Sequence, residues 1–146
     1  MREVELKHGR VSMLAILGHI ATASGMRWDA AYDAAGHTFK EVPAGLAAFS
    51  KIGGPGLQWI ILTVGVLEIG FYECKDDVAA DYEARMDKMG WTDAKKRSKK
   101  NIEINNGRAA MMGILGLMVH EQINNDPYVL NAILGAPVRF NELYGA

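Results

Sequence analysis

The sequence predicts an all-α membrane protein with three transmembrane helices, of which the first and third are crossed and linked by reciprocal Glu–Arg pairs, plus short amphipathic helices. Two observations lead to this prediction. Three long segments are poor in charge, while nearly all ionic residues of the 146-residue chain lie between or beside them. A phrase at residues 5–18, ELKHGRVSMLAILG, also returns at residues 103–116 as EINNGRAAMMGILG, with the same charged residues at the head of an apolar helix.

The first helix is expected over about residues 4–24 and ends near Gly25. Beyond its charged first turns, apolar side chains cover every face, which a helix on the surface of a soluble protein does not show. The first and third helices reach the length of a membrane span, ~20 residues, only when their charged turns are counted. A soluble bundle of three amphipathic helices therefore stays open as an alternative.

The second helix is expected over about residues 57–74, after a loop that ends in the helix breakers of residues 53–56. It comes close to the composition of a span and contains one internal carboxylate, Glu68. A highly charged stretch follows over residues 75–100, and residues 78–89 within it have helical propensity.

The third helix is expected over about residues 101–122, and a short amphipathic piece over residues 128–134 follows it. The stretch 75–100 contains eight Lys and Arg residues, whereas the segments 25–54 and 121–146 together contain four. The positive-inside rule therefore places the N-terminus and the basic stretch on the cytoplasm-like side of the membrane. The net charge of −1 gives no case for nucleic-acid binding.

The repeated phrase predicts two crossed ion pairs between the first and third helices. In each copy the Arg stands five residues after the Glu, about 140° around a helix, so the two side chains cannot easily meet within one helix. The twin copy supplies the partner: Glu5 with Arg108, and Glu103 with Arg10. A purely structural clasp would use the same pairs, and this interpretation stays open beside a functional one.

Each copy also places a polar donor three residues after its Glu, His8 in the first and Asn106 in the second. Such oxygen and nitrogen donors suit Mg²⁺. A magnesium ion already held by the four nitrogens of a macrocycle needs one axial ligand, so isolated donors along apolar helices are sufficient. The spacing of Glu5 and His8 also occurs in carboxylate-bridged di-iron bundles, but the second copy has Asn106 where those sites need His.

On these motifs the chain resembles the light-harvesting chlorophyll-binding superfamily. ELKHGRVSML and EINNGRAAMMGILGLMVHE resemble its first and third membrane helices. The sequences of these segments are most similar to the chlorophyll a/c branch, the fucoxanthin- and peridinin-type antenna proteins. The resemblance implies one antenna domain over residues 1–146. It also implies a non-enzymatic protein that transfers excitation energy to a photosystem, or alternatively a photoprotective relative that dissipates this energy. The implied cofactors are chlorophyll a, chlorophyll c and carotenoids of the peridinin, fucoxanthin or diadinoxanthin type.

His19 is not one of the positions that the resemblance carries over, and it has two interpretations, a hydrogen-bonded core residue or an additional ligand.

The resemblance further implies which residues bind pigments. Five residues match axial ligands of chlorophyll magnesium, two match pigment-binding residues of the middle helix, and two arginines match the charge partners of the ligating glutamates. These are, in that order, Glu5, His8, Glu103, Asn106 and His120; Gln58 and Glu68; Arg10 and Arg108.

The resemblance places the chain in the chloroplast thylakoid membrane, with the N-terminus and the 75–100 stretch on the stromal side. The implied partners are photosystem core subunits, neighbouring antenna proteins and thylakoid lipids, and no nucleic acid. Five acidic residues on the opposite side are expected to be solvated carboxylates, with a sensor of acidification as the alternative. They are Asp29, Asp33, Glu41, Glu121 and Asp126.

Overall fold

The computed structural model describes residues 1–32 and 36–141. These residues group into two compact units, unit one with Met1–Gly53 and Ile104–Ala146, and unit two with Gly54–Glu103. The described residues form five α-helices and one short 3-10 helix, and their only β-structure is an isolated bridge. In chain order the helices are α1 (Arg2–Ala23), the 3-10 helix (Phe39–Glu41), α2 (Ala47–Glu73), α3 (Lys75–Lys88), α4 (Asp93–Asn124) and α5 (Val129–Ile133).

The helices α1 and α4 contain the two copies of the repeated phrase, and α4 is longer than predicted. It begins at Asp93, so the basic run before the phrase is helical as well. Lys and Arg are good helix formers, and no Gly or Pro interrupts them here. The 32 residues of α4 span roughly 48 Å, more than the hydrocarbon core of a bilayer, ~30 Å.

Helix α2 contains a break at Gly53, the first of the helix breakers that the sequence predicted at residues 53–56. Gly53 has φ 73° and ψ 176°, a conformation open essentially to glycine, and Pro55 follows in the first turn beyond it. A helical segment therefore precedes the break from Ala47, where a loop was predicted. Among the described residues, Ala47–Glu73 is the one helix long and apolar enough to cross a membrane, and an 18-residue stretch within it has a mean hydropathy of 1.4.

In unit two, α3 packs against the first turns of α4. The helices run in opposite directions, because Asp87 pairs with Lys96, and Glu83, one turn earlier on α3, pairs with Lys100, one turn later on α4. The hydrogen bond from Lys96 to Asp87 raises the pKa of that lysine. Met86 is buried, with 1% of its surface exposed. The helix predicted over residues 78–89 is thus confirmed in position, although it starts at Lys75.

In unit one, α1 and α4 pack through glycine. Gly9 and Gly107 are buried, and a Cβ atom added to either would lie 2.9 Å from the Cα atom of the other. Ala110, one turn further along α4, is also buried. The glycines at matched positions of the repeated phrase thus permit a close approach of these two helices.

Candidate functional site

The repeated phrase forms an ion pair across the contact between α1 and α4. The Nε atom of Arg108 donates a hydrogen bond to Oε1 of Glu5 at 2.5 Å. The Arg108 side chain is 60% exposed and that of Glu5 is 33% exposed. This pair is one of the two that the sequence predicted, and it is confirmed.

The second predicted pair joins Glu103 to Arg10. Glu103 is half-buried, Arg10 is exposed, and both side chains are engaged in contacts within the structure. Their pairing with each other stays a prediction.

His8 is oriented so that one ring nitrogen is available for a ligand. Its Nδ1 atom lies 2.8 Å from the carbonyl oxygen of Val4, which can only accept, so Nδ1 carries the proton. Nε2 is then the ring nitrogen left for a ligand, and the side chain is exposed. A hydrogen bond from the opposite ring nitrogen is the usual support of a metal-ligating histidine. His8 therefore fits the role of an axial ligand, and Asn106 is exposed at the matching position of α4.

The remaining predicted site residues lie on the last turns of α4 and on α2. His120 is exposed near the end of α4, about 25 Å along the helix from Glu103. On α2, Gln58 and Glu68 are both exposed, and Glu68 makes a contact within the structure. The predicted donors are therefore spread along the helices rather than gathered into one centre.

No cluster suited to a metal ion forms within residues 1–32 and 36–141, where no three His, Cys, Asp or Glu side chains come together. A di-iron site needs a cluster of carboxylates and histidines from facing helices. The described part of the chain does not provide one. Separated donors suit metal ions that arrive already enclosed in a larger ligand.

An apolar cavity of about 630 Å³ lies within unit one. It is bounded by the second half of α1, by α4 and by the segment that leads from the 3-10 helix into α2. Its volume and lining are typical of sites for apolar molecules with few polar contacts. Lining residues include Ala15, Gly18, Phe49, Ile114 and Met118.

The far end of α1 is joined to α4 by a buried polar cluster that sequence reasoning missed. Glu121 is 6% exposed and His19 is 8% exposed. Oε1 of Glu121 accepts a hydrogen bond from the Leu46 backbone N–H at 2.7 Å, and Oε2 lies 3.7 Å from Nε2 of His19. Nδ1 of His19 lies 2.9 Å from the hydroxyl of Tyr128. His19 is thus a hydrogen-bonded core residue, as one of its two interpretations stated.

The only sequence signal for this cluster is a histidine within an apolar helix, since Tyr128 lies 109 positions further along the chain. The expectation of solvated carboxylates is wrong for Glu121, because loop and helix cover it. It holds for Asp29 and Glu41, which are exposed, while Asp126 is half-buried and accepts a hydrogen bond from the Tyr128 backbone. Asp33 lies outside the described residues.

Both copies of the repeated phrase lie within a segment that is similar in sequence to a known protein family. Residues 1–122 match the family model described as chlorophyll A-B binding protein. The chain belongs to this family. It is 41% identical, over 147 residues, to fucoxanthin-chlorophyll a-c binding protein A, chloroplastic, of Macrocystis pyrifera. This alignment covers 97% of this chain and 68% of the relative.

A second chlorophyll-binding relative comes from another organism. The fucoxanthin-chlorophyll a-c binding protein A, chloroplastic, of Phaeodactylum tricornutum is 40% identical over 128 residues, covering 84% of this chain and 65% of the relative. The resemblance to light-harvesting chlorophyll-binding proteins, and to their chlorophyll a/c branch, is therefore confirmed.

Proposed function

We propose that the chain is a light-harvesting antenna subunit that binds chlorophylls and carotenoids and transfers excitation energy to a photosystem. The observation that supports this most directly is the ion pair between Glu5 and Arg108 at the head of the duplicated helices. Proteins of the chlorophyll A-B binding family hold pigments and catalyse no reaction, so the chain is not an enzyme. It serves as a scaffold that fixes the distances and orientations of its pigments.

The cofactors are chlorophyll a, chlorophyll c and a carotenoid of the fucoxanthin type, as the names of the relatives from Macrocystis and Phaeodactylum indicate. When bound, these pigments supply light absorption and transfer of the excited state. The chain contributes axial ligands, an apolar surrounding and rigidity. Carotenoids lie in the grooves beside α1 and α4, next to Met111, Gly113 and Gly116, and the apolar cavity of unit one has a suitable lining for part of such a molecule.

The axial ligands of chlorophyll magnesium are Glu5, His8, Glu103, Asn106 and His120. The Nδ1 atom of His8 lies against the Val4 carbonyl oxygen, so Nε2 is the ring nitrogen left for a ligand. A glutamate beside an arginine donates an oxygen without adding net charge, which matters because an unpaired charge in a membrane is costly. Arg108 has this role for Glu5, and Arg10 has it for Glu103. Gln58 and Glu68 bind further pigments on α2.

Three segments cross the membrane: α1, the part of α2 beyond Gly53, and the part of α4 beyond residue 100. Contacts of Gly9 with Gly107 and of His19 with Glu121 show that α1 and α4 run in the same direction. Two spans of equal direction need a returning span between them, and α2 supplies it. Large apolar side chains stay exposed on α1 and α4, including Leu14, Leu17 and Met112. We propose that these helices cross and that both Glu–Arg pairs join them within one antenna domain.

The protein functions in the chloroplast, in the thylakoid membrane, with the N-terminus and residues 75–100 on the stromal side. The excess of Lys and Arg in that stretch supports this orientation. Photosystem core subunits, neighbouring antenna proteins and thylakoid lipids are its partners.

Absorption and fluorescence-excitation spectra of the protein, purified gently from its native membrane, test the proposal. We expect chlorophyll bands together with carotenoid excitation that feeds chlorophyll emission. A colourless protein would contradict pigment binding. A carotenoid that does not transfer energy, or an emission lifetime that shortens between pH 7 and pH 5, would instead favour the photoprotective relative.

A further inference from the structure

Glu121 stands next to the proposed ligand His120, near the end of α4, but the two side chains have different surroundings. Glu121 is buried at 6% exposure, whereas His120 is exposed. Neighbouring side chains project about 100° apart around a helix. Whatever holds Glu121 in the interior therefore also fixes the direction in which His120 points.

Contacts from two other segments hold the Glu121 carboxylate. The Leu46 backbone N–H donates to it at 2.7 Å, and Gly45 lies so close that no Cβ atom would fit beside the carboxylate. From α1, Nε2 of His19 lies 3.7 Å from Oε2. The carboxylate thus links α4 both to α1 and to the segment that enters α2.

His19 is itself held in place by the C-terminal segment. The Tyr128 hydroxyl lies 2.9 Å from its Nδ1 atom. The ring of Phe140 stacks on the imidazole with centroids 5.5 Å apart and planes within 3°. The imidazole is therefore held from one face by Phe140, and its Nε2 atom is directed towards Glu121.

Apolar packing within the chain restrains this part of α4 only weakly. Leu115 is 55% exposed, Val119 is 45% exposed and Ile123 is 70% exposed. Such side chains leave the rotation of a helix about its axis poorly defined. The hydrogen bond from Leu46 to Glu121 defines it better, because the strength of a hydrogen bond falls steeply with angle.

We infer that Glu121 and His19 are positioning residues, which fix the rotation of α4 at His120 and thereby orient the pigment held there. The inference rests on the proposed function, since it takes His120 as a chlorophyll ligand. It assigns a role to two buried polar residues that are not among the proposed chlorophyll ligands.

Refolding of the full chain with chlorophyll a, chlorophyll c and fucoxanthin tests the inference through visible circular dichroism. His120→Leu first identifies the bands of the pigment that His120 holds. Glu121→Leu is expected to lose or shift those same bands, while Glu121→Gln retains them because its amide oxygen still accepts from Leu46. Tyr128→Phe removes one hydroxyl and produces the same difference spectrum with smaller amplitude. Asp81→Asn on α3 is the matched control, an exposed carboxylate whose replacement leaves the spectrum unchanged.

The outcomes separate the inference from the proposed function. A uniform loss of all pigment bands in Glu121→Leu and Tyr128→Phe, in proportion to lowered thermal stability, would reduce the cluster to a structural role and overturn the inference. Bands that differ from those of His120→Leu would do the same. If His120→Leu itself leaves pigment content and spectrum intact, the ligand assignment fails, and the positioning role fails with it, while the antenna function stands on the other ligands.

Discussion

At one end of the α1–α4 pair, Gly9 and Gly107 bring two backbones into contact beside the exposed ion pair of Glu5 and Arg108. At the other end, the helices are joined through side chains, with His19 and Glu121 both buried. The glycine end therefore depends on the absence of side chains, and its charges lie at the surface. The histidine end depends on polar groups in the interior, which are costly to bury without partners.

This difference indicates which type of substitution destabilises each end. Backbone contact tolerates no added atom, whereas hydrogen bonds tolerate a change of size better than a loss of the acceptor. We therefore expect steric substitutions to dominate at the glycine end and substitutions that remove a polar atom to dominate at the histidine end.

The largest effect is expected for Gly9→Val. Its added carbons would overlap the Gly107 backbone, which cannot move aside as a flexible side chain can. Overpacking of this kind typically costs about 1–3 kcal/mol, and more where the neighbour cannot move. Thermal unfolding of the pigment-loaded protein measures the loss. Gly65→Ala on α2, where nothing lies within 4 Å of the added Cβ atom, is the control. Equal stability of the two variants would contradict the close approach of α1 and α4.

Arg108→Leu is expected to have the next largest effect. It removes the donor to Glu5 and leaves that carboxylate without its guanidinium partner. Under the proposed function, the variant loses the chlorophyll held by Glu5 and becomes less stable. The pigment-to-protein ratio after refolding is the measurement, with Arg97→Leu, in the solvent-exposed first turns of α4, as the control. An unchanged ratio in Arg108→Leu would show that the ion pair is only a structural clasp.

Gly45→Ala tests the histidine end. Gly45 has φ 72°, and its added Cβ atom would overlap the carboxylate of Glu121. Backbone strain alone costs ~1–3 kcal/mol at such positions. Gly135 has a similar φ of 81°, but the space around an added Cβ atom is open. Gly135→Ala therefore measures the destabilisation that backbone strain causes without steric overlap. The difference in melting temperature between the two variants reports the overlap with Glu121, and no difference would argue against this contact.

The smallest effect is expected from alkaline pH. Burial, with a further contribution from the Glu121 carboxylate, raises the pKa of Tyr128. The unfolded chain then loses this proton at a lower pH than the folded chain does. The stabilisation is complete below about pH 10, the ordinary tyrosine value, and is lost as pH rises through the folded pKa. Stability measured from pH 8 to 11 should fall less steeply in Tyr128→Phe than in the unchanged chain, and parallel profiles would contradict this.

Much of the glycine end could be predicted from the sequence, because the residues that form it belong to a duplicated phrase. Two copies of one phrase place Glu, Gly and Arg at matched positions, and the angular spacing of a helix excludes pairing within one copy. The partner of Glu5 follows from this argument alone. The start of α4 did not follow, because the run from Lys95 to Lys100 has the composition of a solvated loop as well as that of a helix. The acidic residues of α3 that pair with it decide in favour of the helix.

The sequence by itself determined the all-helical class, the order of the helices, the family and the ion pair between Glu5 and Arg108, since each depends on local composition or on a repeated spacing. Only the tertiary structure decided the helical segment that begins at Ala47, where a loop was predicted, and the burial of Glu121. That carboxylate is buried because Leu46 and His19 meet it from distant parts of the chain. Nothing in the residues beside Glu121 specifies those partners, because a contact between remote segments depends on how the whole chain folds.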